Sequence, residues 1–417
     1  MKTTEFAKRF SADVGIVNLM EDLGEAINVN PDLLFMGGGN PARIPEFEQR
    51  VADHLGRIVN NPAALHKLIG AYQSPRGSEE FIDALVKFFH RQCGWTLSKN
   101  NIAISNGSQS AFFILINMLV GTANGESRRV CYPVMPEYLG YSDQGLVKDC
   151  SVGIRPRVDL LEDDFFKYRV NQTALGEAEN ISAYCISRPT NPSGNIISED
   201  ELDHIAGLAK KNDAYLIVDC AYGNPFPGVV YDPVAPRWHD NSIYVLSLSK
   251  LGMPGVRTGI VVAPEEVIEE FVKINTVISL ANGNLGPALA TSLLKSAEMP
   301  DICGRILLPF YRAKRDLAVG EVQKQLKGVP CRIHKPEGAF FLWLCLENLP
   351  ITSMALYERL KKKNVLIMPG EHFFFGLTEE WEHARQCIRL TYCQDNDVLV
   401  KAIALLGEEL RDIYRQC

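Results

Sequence analysis

The sequence predicts an α/β protein, with a mostly parallel sheet in a large domain and a smaller α+β domain after it. Three observations carry this prediction. Between residues 101 and 246, short apolar strand patterns alternate with helical patterns, as in a parallel sheet covered on both faces. After about residue 300 the alternation stops, and one long helical pattern leads into further strands and helices. The chain has 417 residues and 46% hydrophobic content, ample for two to three domains.

Taken in order, residues 1–45 are an N-terminal segment expected to pack near the small domain and the cleft. Residues 46–300 form the large domain and 301–417 the small one. Asn101–Ser105 reads as a strand and Ser108–Val120 as a helix, apolar nearly all round and therefore buried. Arg129–Tyr132, Ala183–Ser187, Tyr215–Asp219 and Ser242–Leu246 are further strands. Ser198 with Glu201 is a capping-box start for a helix over Ser198–Asn212. In the small domain, Asp301–Leu326 is a long helix. Cys331–His334 and Ala339–Leu344 are strands, and Ser353–Lys363 and Asp397–Tyr414 are helices. Sheets of this kind bind ligands in the loops after the carboxyl ends of their strands.

Composition narrows the function. Net charge is −7 with both signs mixed and no basic block, which argues against nucleic acid. Apolar runs such as Ala111–Ile116 are too short to span a bilayer, and MKTTEFAKRFSADVG has no apolar signal core. A cytoplasmic protein is expected. The eleven cysteines form no C-x-x-C pair or His/Cys cluster, so free, buried thiols and no metal are expected.

The most informative run is SLSKLGMPGVRTG, residues 247–259. It sets Lys250 beside Ser247 and Ser249, with Arg257 seven residues on. A lysine among phosphate-binding groups suits pyridoxal 5'-phosphate (PLP): the amine condenses with the aldehyde, while hydroxyls and a guanidinium hold the phosphate. A Ser-x-Ser-Lys run also suits a surface turn. Asn106-Gly107-Ser108-Gln109 lies between a strand and a helix, with Ser108 as a natural N-cap and free N–H groups for an anion. An ordinary capped helix is the plainer reading of that turn alone.

Three features suit a pyridine ring. Asp219 ends its strand where a carboxylate can pair with the ring nitrogen. Tyr222 and Asn191, the latter in SRPTNPSG, can donate to the ring oxygen, and Tyr138 can stack on the ring face. Each has a duller alternative: a capping Asp, an Asn-Pro-Ser-Gly turn, a core aromatic. Arg389 sits in the apolar run Cys387–Tyr392, a costly position for a cation unless it meets an anion; a substrate carboxylate or a structural ion pair satisfies that need. Gly37-Gly38-Gly39 follows the apolar Leu33–Met36 and looks like a place where backbone approaches a ligand.

Together, Tyr72, Gly107-Ser108-Gln109, Tyr138, Asn191-Pro192, Asp219-x-x-Tyr222, Ser247-x-Ser249-Lys250, Pro254-Gly255-x-Arg257 and Arg389 resemble the fold-type I PLP-dependent aminotransferases over nearly the whole chain. The resemblance implies that Lys250 binds PLP covalently and moves protons. It implies that Asp219 pairs with the pyridine nitrogen, with Tyr222 and Asn191 on the ring oxygen and Tyr138 on its face. Gly107, Ser108, Gln109, Ser247, Ser249 and Arg257 would surround the phosphate. Tyr72 would reach it from a second subunit, which implies a homodimer. Gly38, Asn191 and Arg389 would meet the substrate. Runs such as GGGNPA (37–42) and KPEGAFFLWL (335–344) further imply exchange between a small aliphatic amino acid (valine, alanine or 2-aminobutyrate) and a 2-oxo acid, valine with pyruvate above all. The apolar run Ile16–Met20 is expected to close over the side chain. Two departures are small: Cys-Ala-Tyr follows the aspartate where an acidic residue often does, and Asn leads the phosphate loop where Thr often does. A β-lyase or decarboxylase on the same scaffold, or a PLP-sensing regulator, are the rival readings; the chain has no room for a DNA-binding domain ahead of this region.

Overall fold

The protein is described by a computed structural model over residues 3–11, 32–123 and 125–416. The run 16–20 lies outside the described residues.

The large sheet has the strand order 102–105, 259–262, 242–247, 215–219, 181–187, 126–132, 121–123, with 151–153 also paired to 126–132. Pairing is parallel from Ser242–Ser247 through Glu126–Tyr132. Gly259–Val262 runs antiparallel to both its neighbours. Strands 102–105, 181–187, 215–219 and 242–247 therefore all point the same way, and their carboxyl ends line one edge. These strands are buried along their whole length save for the half-buried Tyr215, as a sheet covered on both faces requires.

Helix Glu199–Lys211 starts with the expected reciprocal Ser198/Glu201 cap. The helix after the first strand runs Ser108–Leu119, but its N-cap is Gly107, not Ser108. Gly107 has φ 97°, and a Cβ there would lie 2.3 Å from Arg257 Nη2. Only glycine permits both the backbone turn and the approach of the guanidinium.

A second, six-stranded sheet has the order 368–369, 387–391, 341–346, 331–334, 165–169, 157–160. Residues 157–169 thus pair with the small-domain strands, although the sequence division places them in the large domain. A short hairpin excursion carries no sequence signal of which sheet it joins. The long helix after residue 300 is not uniform: Ile302–Leu307 is a π segment and Leu308–Gln325 is α-helical. The wider turn sits directly ahead of Pro309, which has no N–H to continue the α pattern. Leu34–Phe35 pairs in parallel with Val365–Leu366, and Met36 accepts a bond from the Thr391 N–H. The chain at 34–39 therefore runs along the 365–391 region and on to Lys250.

Candidate active site

The register of the large sheet assembles the site. Ser105, Gly259 and Ser247 are lateral neighbours, so the loop 106–109 lies beside 247–249. Ser187 pairs with Asp219, which pairs with Val245. The loops carrying Asn191, Asp219 and Lys250 leave adjacent strands at one edge.

The Lys250 amine donates to the Gly39 carbonyl at 2.5 Å. It lies 5.6 Å from the centre of the Tyr222 ring. Burial, with help from the charges of Arg389 and Arg257, lowers its pKa to about 8, against the opposing pull of Cys393 and Asp219. Arg389 is 3% exposed and stands 4.1 Å over the Phe341 ring. Its Nη1 donates to Asn191 Oδ1 at 2.6 Å and its Nη2 to the Gly37 carbonyl at 2.7 Å. Both partners are neutral, so these bonds leave the charge uncompensated, and among the described residues its buried Nε has no partner. Burial lowers its pKa to about 10. Among the described residues no carboxylate forms an ion pair with Arg389. Gly38 lies between these two contacts, and a Cβ there would meet Phe35 Cε1 at 2.5 Å.

Asp219 is buried and accepts from the Tyr141 hydroxyl at 2.5 Å and the Ala221 N–H at 2.8 Å. Burial raises its pKa to about 6, although both hydrogen bonds and the Lys250 charge oppose the rise. Tyr222 is buried, with its ring edge-on to Phe340 and Phe341. The Tyr138 ring is held against Gly140, where a Cβ would lie 2.4 Å from it, and edge-on to Tyr141. Burial raises the pKa of its hydroxyl, with a further push from Asp219 and against the charges of Arg389 and Arg257.

At the other end, Ser247 Oγ accepts from the Ser249 N–H at 3.0 Å. Arg257, exposed and in the left-handed region at φ 45°, donates to the Pro254 carbonyl at 3.3 Å. Ser108 and Gln109 open the helix, and the Arg257 guanidinium packs against Gly107 at its N-cap. Tyr72 is not brought in: it is 85% exposed, on the loop before Ser78.

Sequence reasoning missed Tyr141, Ser187 and Glu137, which stand behind Asp219. Ser187 and Tyr141 read as ordinary strand-end and turn residues; their role depends on lateral strand pairing. It also missed a His/Cys cluster. Cys345, His383 and Cys387 have ligand-type atoms within 4.8 Å of one another. Cys345 comes from a separate strand that pairs with Cys387, so no short spacing announces the group. Both imidazole nitrogens already have protein neighbours, Cys345 Sγ at 3.4 Å and Tyr168 Oη at 2.5 Å.

A buried amine, a desolvated carboxylate and an anion-binding loop lie at one edge of the large sheet, and a buried guanidinium from the second sheet meets the amine on the strip of backbone 37–39, a set of groups that suits amino-acid chemistry. The sequence profile of the class I and II aminotransferases matches residues 50–404, and the chain belongs to that PLP-dependent family. It is 39% identical to the valine–pyruvate aminotransferase of Escherichia coli K12, over 99% of this chain and 98% of that one. Among solved structures, a putative amino-acid aminotransferase from Psychrobacter arcticum 273-4 superposes with a TM-score of 0.97 at 39% identity, covering all of both chains. The valine–pyruvate aminotransferase AvtA of Salmonella typhimurium LT2 superposes with a TM-score of 0.89 at 37% identity, covering 96% of this chain and all of that one. The fold is the fold-type I α/β architecture, and the protein is an aminotransferase.

Proposed function

We propose that the protein exchanges the amino group of a small aliphatic amino acid, valine above all, with pyruvate, giving 3-methyl-2-oxobutanoate and alanine. The observation that carries this is the convergence of Lys250 and Arg389 on one strip of backbone. The amine rests on the Gly39 carbonyl and the guanidinium on the Gly37 carbonyl. An amino acid held by its carboxylate at Arg389 then presents its α-carbon to the Lys250 amine. Phe341 and Phe373 flank the guanidinium, an apolar setting that suits an aliphatic side chain. The valine–pyruvate enzyme of E. coli supports the choice of substrates.

The residues fit PLP. Among the described residues Asp219 accepts bonds from neutral donors only, so no hydrogen-bonded counter-cation stands where a protonated pyridine nitrogen would supply one. That cation would also draw its raised pKa back down. Ser108, Gln109, Ser247, Ser249 and Arg257 offer hydroxyls, amides and a guanidinium to the phosphate. When bound, the pyridine ring stores the electrons left at the substrate's α-carbon. Lys250 takes the α-proton as general base and gives it back as general acid; a pKa near 8 suits both duties at neutral pH. Arg389 and Asn191 orient the substrate, and Tyr222, Asn191 and Tyr138 hold the ring in place.

The site is completed in a homodimer. Ile69, Tyr72, Val277, Ile278, Leu280 and Leu285 are exposed apolar side chains. The Asn284 amide ties their two segments together by donating to the carbonyls of Lys67, Leu68 and Ala71. The Gly283 N–H donates to Asn106 Oδ1, fixing this face beside the phosphate loop. A second copy on this face brings its Tyr72 to that loop. We place the enzyme in the cytoplasm, where free thiols such as the ten among the described residues persist. No helix among the described residues is long and apolar enough to cross a membrane.

The test is a panel of kcat/KM values with pyruvate as acceptor. Alanine, 2-aminobutyrate and valine should react within about 200-fold of one another, because a hydrophobic pocket gains little per methylene. Aspartate should be far poorer, since its side-chain carboxylate loses hydration without a partner. Aspartate as best donor overturns the substrate. Release of ammonia or carbon dioxide without stoichiometric amino transfer favours the lyase or decarboxylase reading. Borohydride should fix the cofactor on Lys250; label on another lysine overturns that assignment.

A further inference from the structure

A second buried carboxyl stands behind Asp219, and the reaction described above gives it no duty. Glu137 is 1% exposed. Its Oε1 accepts from the Ser187 N–H at 2.8 Å, and its Oε2 lies 2.6 Å from Ser187 Oγ. Ser187 Oγ lies 3.2 Å from Tyr141 Oη, and the Tyr141 hydroxyl donates to Asp219 Oδ2 at 2.5 Å. The four side chains form one unbranched line because Ser187 pairs with Asp219 across adjacent parallel strands, while Glu137 and Tyr141 lie at the two ends of one short turn.

Counting protons along the line gives its polarity once Asp219 is the ionised member, which its lower pKa of about 6, against about 8 for Glu137, and the nearby Lys250 charge make it at neutral pH. The Tyr141 proton is committed to Asp219. With Glu137 ionised, Ser187 must give its only proton to Glu137. The Ser187–Tyr141 contact then has no hydrogen between its oxygens. With Glu137 protonated, each of the three contacts holds one hydrogen, and each oxygen that gives a proton also receives one. We infer that Glu137 is a positioning residue that carries a proton at neutral pH and heads a one-way hydrogen-bond chain through Ser187 and Tyr141 to Asp219. Asp219 is thereby fixed as the charged member of the carboxyl pair, its Oδ2 held toward the chain. The inference rests on the proposed role of Asp219 toward the ring nitrogen.

The surroundings agree. Burial raises the Glu137 pKa to about 8, against the bonds from Ser187 and Tyr138 and with a further push from Asp219. Among the described residues the titratable groups facing it are Tyr132, Tyr141, Cys185 and Asp219, none of them a cation. A second ionised carboxyl here would be a buried charge without a partner.

Two measurements test the inference. Infrared spectra of the cofactor-free protein should show the carbonyl band of a neutral carboxylic acid at pH 6.5, shifted by 13C-glutamate labelling and lost in E137Q. Its disappearance on titration should come only near pH 8. This reading uses the wild type and survives even a variant that folds poorly. In the loaded enzyme, E137Q should keep kcat within about threefold, because the amide both accepts from the Ser187 N–H and donates to Ser187 Oγ. S187A cuts the chain and should lower kcat by about tenfold or more, with KM nearly unmoved. No glutamic-acid band at pH 6.5, or E137Q as damaged as S187A, overturns the inference. A failure of Asp219's own role is distinguishable: D219N would then turn over normally while the Glu137 band remains.

Discussion

Replacing Arg389 by lysine separates its charge from its shape. The guanidinium has five N–H groups. One goes to Asn191 Oδ1 and one to the Gly37 carbonyl, leaving the others, the buried Nε among them, for a carboxylate. An ammonium is a point donor with a shorter reach and cannot bridge Asn191, Gly37 and a carboxylate at once. At least one charge-assisted bond is lost, about 1.5–3 kcal/mol. That is a fall of roughly 10- to 150-fold in kcat/KM. The loss should grow as pH rises. Burial lowers the Arg389 pKa only to about 10, so arginine stays charged at neutral pH. A lysine starts lower and is pushed toward neutrality by the same burial. The assay is kcat/KM for valine between pH 6.5 and 9, wild type against R389K, with pyruvate saturating. A change under threefold across that range would falsify the carboxylate role of Arg389, since nothing else in the fold predicts that its fork is dispensable.

Three further outcomes follow from the same geometry. D219N should slow single turnover by orders of magnitude while retaining most of the cofactor, measured by stopped-flow absorbance; near-normal rates would remove Asp219 from the chemistry. Mixing inactive Y72A dimers with inactive K250A dimers should restore activity, because each hybrid has one intact site; no recovery after verified subunit exchange counts against a shared site. The cofactor-free protein should lose stability as pH climbs between 4.5 and about 8, since the unfolded chain releases the Glu137 proton while the native one holds it. E137Q lacks that term, so its melting temperature should rise relative to wild type across this window and level off above it; parallel curves for the two proteins would contradict a raised Glu137 pKa.

Much of the site was legible in the chain because its parts are local. Lys250 with Ser247, Ser249 and Arg257, and Asp219 with Tyr222, each occupy a short run at a strand end, where side-chain chemistry and spacing can be read directly. The central strands were legible for the same reason: apolar runs of a sheet covered on both faces need no partner to be recognised. Element ends were less so. Ser108 has the chemistry of an N-cap, yet Gly107 takes that place because Arg257, 150 residues on, packs against it.

Sequence alone thus determined the class of fold and the aminotransferase family, and it singled out the candidate groups for cofactor chemistry. Only the tertiary structure decided which neutral partners Arg389 meets and which strip of backbone joins it to Lys250. It also decided that residues 157–169 belong to the second sheet, and that Glu137 stands behind Asp219. The physical reason is common to all of these. Lateral strand pairing places Ser187 beside Asp219 and Cys345 beside Cys387, and burial then sets their hydrogen bonds and protonation. Neither register nor desolvation is written in the local spacing of residues; both arise when distant segments close on one another.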